Sequence, residues 1–244
     1  MQSSAQELVQ KLISWIGDTV ASAGAKGVVL GMSGGIDSSV AAVLCKRAFP
    51  QATLGVILPC HSMAIDREHA ELIANKFNIP VRVVVLDEPF DSLIKSLPDE
   101  AYDSTTRKMA ESNIKPRLRM VTLYYLANRL NYLVVGSSNK SELSVGYFTK
   151  HGDSGCDLMP LGNLTKRQVR ELAEYLDIQR EIIDKPPTAG LWKGQTDEAE
   201  LGLTYDELDR YLVTGEAEPK IKEKIESKIK QTMHKRCIPP VPPT

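Results

Sequence analysis

The sequence predicts an α/β fold, a doubly wound parallel sheet followed by a helical C-terminal part. Two patterns predict it. Short apolar runs rich in β-branched residues alternate with helix-length segments up to residue 136, and beyond Gly136 the strand signals stop. Residues 1–23 read as an amphipathic helix, with Leu8, Leu12, Ile13, Ile16 and Val20 along one side. GVVLGM (27–32) is then a buried strand, and IDSSVAAVLCKRAF (36–49) its helix. ATLGVIL (52–58) is a second strand and DREHAELIANKF (66–77) a second helix. VRVVVL (81–86) is a third strand, residues 117–131 form a helix, and YLVVG (132–136) is a fourth strand. Strand–helix alternation implies right-handed crossovers and a sheet covered on both faces.

The C-terminal part carries two capping boxes, Thr165 with Gln168 and Thr204 with Glu207, each opening a helix. Between those helices lies KPPTAGLWKGQTDEAELG (185–202), rich in Pro, Gly and Thr. So long a stretch without a regular pattern suits an active-site lid or a plain surface loop. A Lys-rich helix over about 217–235 and the end MHKRCIPPVPPT follow, and by charge that end is solvated.

The 244 residues are 42% hydrophobic, enough for one self-sufficient domain spanning 1–244. Lys and Arg number 30 against 31 Asp and Glu, a net charge of −1. Bulk charge therefore gives no reason to expect a nucleic-acid or membrane partner. Cys45, Cys60, Cys156 and Cys237 form no CxxC pair, which speaks against a cysteine metal site or a disulfide framework. The start lacks a basic segment leading into an apolar run, and no apolar stretch approaches ~18 residues. A soluble cytoplasmic protein is expected.

Gly31-Met32-Ser33-Gly34-Gly35-Ile36-Asp37-Ser38 sits where the first strand turns into its helix. In an open parallel sheet ligands bind at such turns. Gly34 and Gly35 let the backbone bend and an anion approach its N–H groups, and the following helix points its positive end at the same place. Ser33, Ser38 and Ser39 add hydroxyls, so a phosphate cradle is expected. The loop is neither a Walker A motif nor GxGxxG. Asp37 beside a polyphosphate needs a cation between them, usually Mg²⁺. As an alternative, it is a first-turn partner of the helix dipole.

The string SGGxDS resembles the pyrophosphate loop of the N-type ATP pyrophosphatases. Within that superfamily the chain resembles the ammonia-dependent NAD synthetases. The resemblance rests on Gly136 to Glu142 (GSSNKSE), Val145 to Asp153 (VGYFTKHGD), Asp157 to Leu161 (DLMPL) and Leu164 to Gln168 (LTKRQ). It continues in Pro187-Thr188-Ala189, Gln195 to Glu198, Asn113 to Arg119 and His234-Lys235-Arg236. The fold implied is Rossmann-like, of the adenine nucleotide α-hydrolase-like type. The reaction implied is amidation of deamido-NAD to NAD by ammonia through an adenylate, with ATP giving AMP and pyrophosphate. The resemblance makes Glu142 the second Mg²⁺ carboxylate beside Asp37 and Asp153 a candidate for another, and puts Ser137, Lys166 and Thr188 on ATP with the Gly-rich loop. It puts Arg117, Lys150, Asp157, His234 and Lys235 on deamido-NAD. It also implies a homodimer with the dinucleotide across its interface, for which Tyr124, Tyr125 and Leu126 are candidates, although core burial explains them equally well.

Ile57 stands where some bacterial members have an arginine that meets ATP, so His61 or another residue is left to compensate. Lys166 falls at the first position of a capped helix, where a cation opposes the dipole and a phosphate partner would offset that cost. No residue is singled out as general base. Water would destroy the adenylate, so residues 186–202 are the expected lid. A glutaminase domain has no room in 244 residues, which leaves free ammonia, or a separate glutaminase, as donor. The alternative enzyme is another SGGxDS pyrophosphatase that amidates or thiolates a different substrate. The alternative of another class is a nucleotide-binding regulator.

Overall fold

The computed structural model describes residues 2–98, 103–192 and 194–242. Position 193 of the expected lid lies outside them. The first half runs α1 (Gln2–Ser22), β1 (Gly27–Gly31), α2 (Ile36–Ala48), β2 (Thr53–Ile57), α3 (Ala64–Lys76), β3 (Val81–Val83), α4 (Asp87–Ser96), α5 (Ser104–Ser112), α6 (Ile114–Leu130) and β4 (Tyr132–Val135). Helices follow: α7 (Lys140–Val145), α8 (Lys166–Tyr175), α9 (Arg180–Ile183), α10 (Asp197–Leu201), α11 (Tyr205–Thr214), α12 (Pro219–Gln231) and a 3-10 turn at Met233–Lys235.

The four strands are parallel in the order β3-β2-β1-β4. The chain winds outward from β1 to β3, then returns to place β4 on the other side of β1. The sheet therefore has a switch point between β1 and β4, where a doubly wound fold opens a crevice at the carboxyl ends of its strands. Leu30 is in register with Val135, so Gly31 and Gly136 leave the sheet side by side. Gly136 is required there, because a Cβ would stand 2.5 Å from the Cys156 sulfur.

Side-chain alternation in β1 sorts the two cores. Val28 and Leu30 face α1, α2, α3 and α8 through Val20, Val40, Leu44, Ile73, Val169 and Leu172. Val29 faces α4 and α6 through Phe90, Leu123 and Leu126. A smaller cluster, Val145, Leu201, Leu203, Leu208 and Ile225, joins α7 to α10, α11 and α12. Both expected capping boxes form, with Thr165 accepting from the Gln168 N–H and Thr204 from the Glu207 N–H.

Some readings change. The third strand closes at Val83, although Val84 and Leu86 still donate to Ile57 and Pro59 carbonyls at 2.9 and 2.8 Å. Pro59 has no N–H to return, so the ladder thins out. Helices α4, α5 and α7 add to the expected elements: α5 is polar and mostly exposed, and α7 has six residues. The long Pro/Gly/Thr stretch contains α10. Of the end expected to be solvated, residues 237–242 are exposed, whereas Lys235 and Arg236 dock. Lys235 donates to the Gly146 and Phe148 carbonyls at 2.8 and 2.9 Å, and Arg236 to the Leu143 carbonyl at 3.1 Å. These cations meet carbonyls at and just beyond the end of α7, where a positive charge is favoured.

Ile16 is fully buried between α1 and the sheet-side helices. Ile16→Ala is expected to cost about 2–5 kcal/mol, read as a lower urea midpoint at unchanged slope.

Candidate nucleotide and metal site

One cavity of about 570 Å³ opens at the switch point. Its wall takes Gly31, Met32, Ser33, Gly35, Ile36, Asp37 and Ser38 from the β1–α2 turn, and Ser137 and Glu142 from the segment after β4. Asp153, Lys166, Thr188 and Lys235 complete the expected set that lines it. Gly34 stands behind the wall. Its φ is +73°, and a Cβ there would lie 2.1 Å from the Asp66 carbonyl oxygen, so the turn admits only glycine.

The serines act differently from one another. Ser38 and Ser39 donate to the Gly35 carbonyl at 3.0 and 2.8 Å, and Ser33 shares a 2.9 Å contact with Ser38. Ser39 is buried and lies outside the cavity wall. These hydroxyls fix the shape of the turn, and Ser33 and Ser38 are the ones that also face the cavity.

Asp37 and Glu142 come together. Lys166, 3% exposed, reaches Asp37 Oδ2 at 2.5 Å and Glu142 Oε1 at 3.2 Å. Each partner has its own anchor. Asn139 caps α7 and forms a capping box with Glu142, while its Nδ2 donates to Asp37 Oδ1 at 2.9 Å. Tyr205 donates toward Glu142 at 3.4 Å and to Asp197 at 2.9 Å, and Lys166 lies 5.0 Å from its ring centroid. Burial pushes the Glu142 carboxyl above its ordinary range against the pull of Lys166. For Lys166, burial works against the charge, but Asp37 and Glu142 outweigh it and hold the ammonium above its ordinary value.

Two carboxylates that close on one cation, in the first turns of α2 and α7, are a donor set that fits a hard divalent ion such as Mg²⁺. Asp153 is farther committed. Its Oδ1 accepts the Thr149 N–H at 2.9 Å, and burial raises its carboxyl.

Several wall residues carried no expected role. Asp197 accepts from Tyr147 and Tyr205 at 3.0 and 2.9 Å, and burial raises its carboxyl. Arg119 donates to the Leu58 carbonyl at 3.0 Å and to Ser62 at 3.2 Å, at the end of β2. It thus presents an arginine where Ile57 does not, whereas His61 turns to Asp91 at 2.8 Å. The Asn139-x-x-Glu142 capping spacing is a sequence signal that points to Asn139. No comparable local signal exists for Arg119 or Asp197.

Residues 186–192 form one side of the cavity. They are held down by a Lys185–Asp66 ion pair at 2.6 Å, by Lys115 donating to the Leu191 carbonyl at 2.9 Å, and by Lys108 4.3 Å from the Trp192 ring centroid. Thr188 accepts the Gly190 N–H at 3.1 Å.

The remaining expected residues lie outside the cavity wall. Arg117 donates to the Lys150 carbonyl at 3.3 Å, and Lys150 to the His234 carbonyl at 2.9 Å, so these contacts link the three residues in a chain. Asp157 lies apart, accepting from the Val134 N–H at 2.7 Å and from Tyr124 at 3.0 Å. Of the α6 candidates, Leu126 is core and Tyr124 packs partly buried against it, whereas Tyr125 is more than half exposed, as is Val121 on the same helix.

The family model described as NAD synthase matches residues 8–239. The chain belongs to the NAD synthase family. An NH(3)-dependent NAD(+) synthetase of Carboxydothermus hydrogenoformans is 49% identical over 242 residues, 99% of each chain. One of Methanocaldococcus jannaschii is 43% identical over 98% of this chain and 97% of its own. Among solved structures, an NMN synthetase from Francisella tularensis superposes with a TM-score of 0.92 at 37% identity, over 98% of each chain. An NH3-dependent NAD synthetase from Campylobacter jejuni superposes at 0.80 and 28% identity, over 98% of this chain and 99% of its own. The family resemblance carried by GSSNKSE and LTKRQ is thereby borne out. Among the described residues, no helix is long and apolar enough to cross a membrane.

Lys166→Met removes the cation between two buried carboxylates. Breaking a buried pair in this way costs about 3–5 kcal/mol. The thermal midpoint is expected to fall in metal-free buffer and to recover in part with Mg²⁺. An unchanged midpoint without Mg²⁺ would contradict the assigned pairing.

Proposed function

We propose that this member of the NAD synthase family amidates deamido-NAD to NAD with ammonia, consuming ATP to AMP and pyrophosphate. One observation carries the reading. Asp37 of the glycine-rich turn and Glu142 beyond β4 meet at one cation, inside the cavity that the turn opens. In this reading one domain carries the whole reaction.

The Gly31–Ser38 turn and the N-terminus of α2 receive the ATP phosphates. Asp37 and Glu142 hold Mg²⁺, with Asp153 nearby in the same wall as a candidate for a further ion. When bound, Mg²⁺ neutralises phosphate charge. Lys166, Ser137 and Thr188 contact the nucleotide. The pyridine carboxylate attacks the α-phosphorus and pyrophosphate leaves. The mixed anhydride then takes ammonia, releasing AMP and the amide. Adenylation is needed because a free carboxylate repels nucleophiles and has no good leaving group. Residues 186–202 act as the lid that keeps water from the anhydride.

Arg117, Lys150, His234 and Lys235 supply positive charge and hydrogen-bond donors for a substrate with two phosphates and a carboxylate, with Asp157 as a further contact. The first three lie outside the cavity wall. This suits a dinucleotide that extends beyond one protomer, and a homodimer formed through the exposed α6 face at Val121 and Tyr125. The protein is expected in the cytoplasm.

The Francisella tularensis superposition favours a second acceptor, the mononucleotide carboxylate that amidation would turn into NMN. Both are settled by one assay: ATP, Mg²⁺ and ammonium with either acceptor, followed by product chromatography. NAD with stoichiometric AMP is expected from deamido-NAD, at a kcat/KM well above that for the mononucleotide. The reverse ranking selects the second reading, and AMP with neither acceptor overturns both. Asp37→Ala is expected to lower kcat at least about 100-fold, the scale of losing a preorganised transition-state contact.

A further inference from the structure

Asp209 is a carboxylate on the buried face of α11, 5% exposed. Among the described residues it forms no ion pair with a lysine or arginine. A buried charge without a counter-ion is costly unless dipoles replace water. Here the dipole is that of α8. Asp209 Oδ2 accepts the Arg167 N–H at 2.8 Å. Its Oδ1 accepts from the Ser141 hydroxyl, and Ser141 Oγ in turn accepts the Lys166 N–H at 3.0 Å. Thr165 takes the Gln168 N–H. The first three free N–H groups of α8 are thus filled by Ser141, Asp209 and Thr165 in sequence.

This arrangement touches the candidate site from behind. Ser141 is fully buried and adjoins Glu142 in α7. Lys166 is the first residue of α8 and its backbone is the one held by Ser141. A lysine in that position opposes the helix dipole, and a carboxylate beside the same N-terminus offsets it. One carboxylate therefore ties together the backbones that carry Lys166 and Glu142, without entering the cavity.

We propose that Asp209 is a positioning residue for nucleotide binding, acting through Ser141 and the α8 N-terminus to fix where the Lys166 ammonium sits. The inference rests on Lys166 serving the phosphates of ATP. Asparagine keeps the Arg167 contact through its oxygen and meets the second lone pair of Ser141 Oγ through its amide, so it holds the backbone geometry although the Ser141 bond is reversed. Alanine leaves two buried donors without a partner.

The test is the affinity of the full chain for ATP with Mg²⁺, measured by calorimetry at a temperature where every variant is folded. Asp209→Ala is expected to weaken ATP about tenfold or more, the scale of one charge-assisted hydrogen bond. Asp209→Asn should stay within about threefold of the parent. Leu208→Ala, a neighbouring core truncation on the same helix, should leave ATP affinity nearly unchanged despite lost stability. Adding Ser141→Ala to Asp209→Ala should weaken ATP no further, because both break one chain. In a Lys166→Met background that binds ATP measurably, Asp209→Ala should then have little effect. Equal losses for Leu208→Ala and Asp209→Ala, or full additivity in the Ser141 pair, would overturn the proposal. A parent chain that fails to bind ATP would instead overturn the functional reading on which it rests.

Discussion

The Lys166 ammonium lies almost completely buried between the carboxylates of Asp37 and Glu142. Asp37 comes from the turn after β1, Glu142 from the helix after β4, and Lys166 from the start of the C-terminal helical part. No two of these could be buried alone without a large desolvation cost. Their mutual neutralisation holds the two halves of the chain against one another. It also keeps a concentrated pair of carboxylates in the wall of the cavity.

The sheet makes that meeting possible. Because β4 returns beside β1, the turns after both strands open on the same side, and the paired register of Leu30 and Val135 sets them level. Helices α2 and α8 then point their positive ends into the opening. The anchoring of the carboxylates is redundant: Asn139 links Asp37 to the α7 cap, and Tyr205 links Glu142 to Asp197 at the end of the lid. Lys185, Lys115 and Lys108 tether the segment 186–192 along one side of the cavity.

The cationic residues divide by distance from this centre. Lys235 lines the cavity and, with Arg236, anchors the chain's end on α7. Arg117 and Lys150 donate to backbone carbonyls rather than to carboxylates, so their charges are not cancelled by those contacts. That leaves them able to meet an anionic substrate. The same family fold superposes on proteins named for NAD and for NMN synthesis.

Local patterns determined much of this protein. Periodicity placed four strands, and side-chain chemistry placed both Thr capping boxes, the glycine-rich turn and Asp37 at a helix N-terminus. Those features are encoded within a few residues of one another, so spacing alone reveals them. Tertiary structure alone decided that Lys166 pairs with two carboxylates, that Arg119 fills the end of β2, that Ser38 and Ser39 shape the turn, and that the basic C-terminus docks on α7. Each of those joins residues far apart in the chain, or depends on which acceptor a hydroxyl finds first. A buried charge shows its partner only when the fold has brought one within reach, and no local pattern of residues carries that distance.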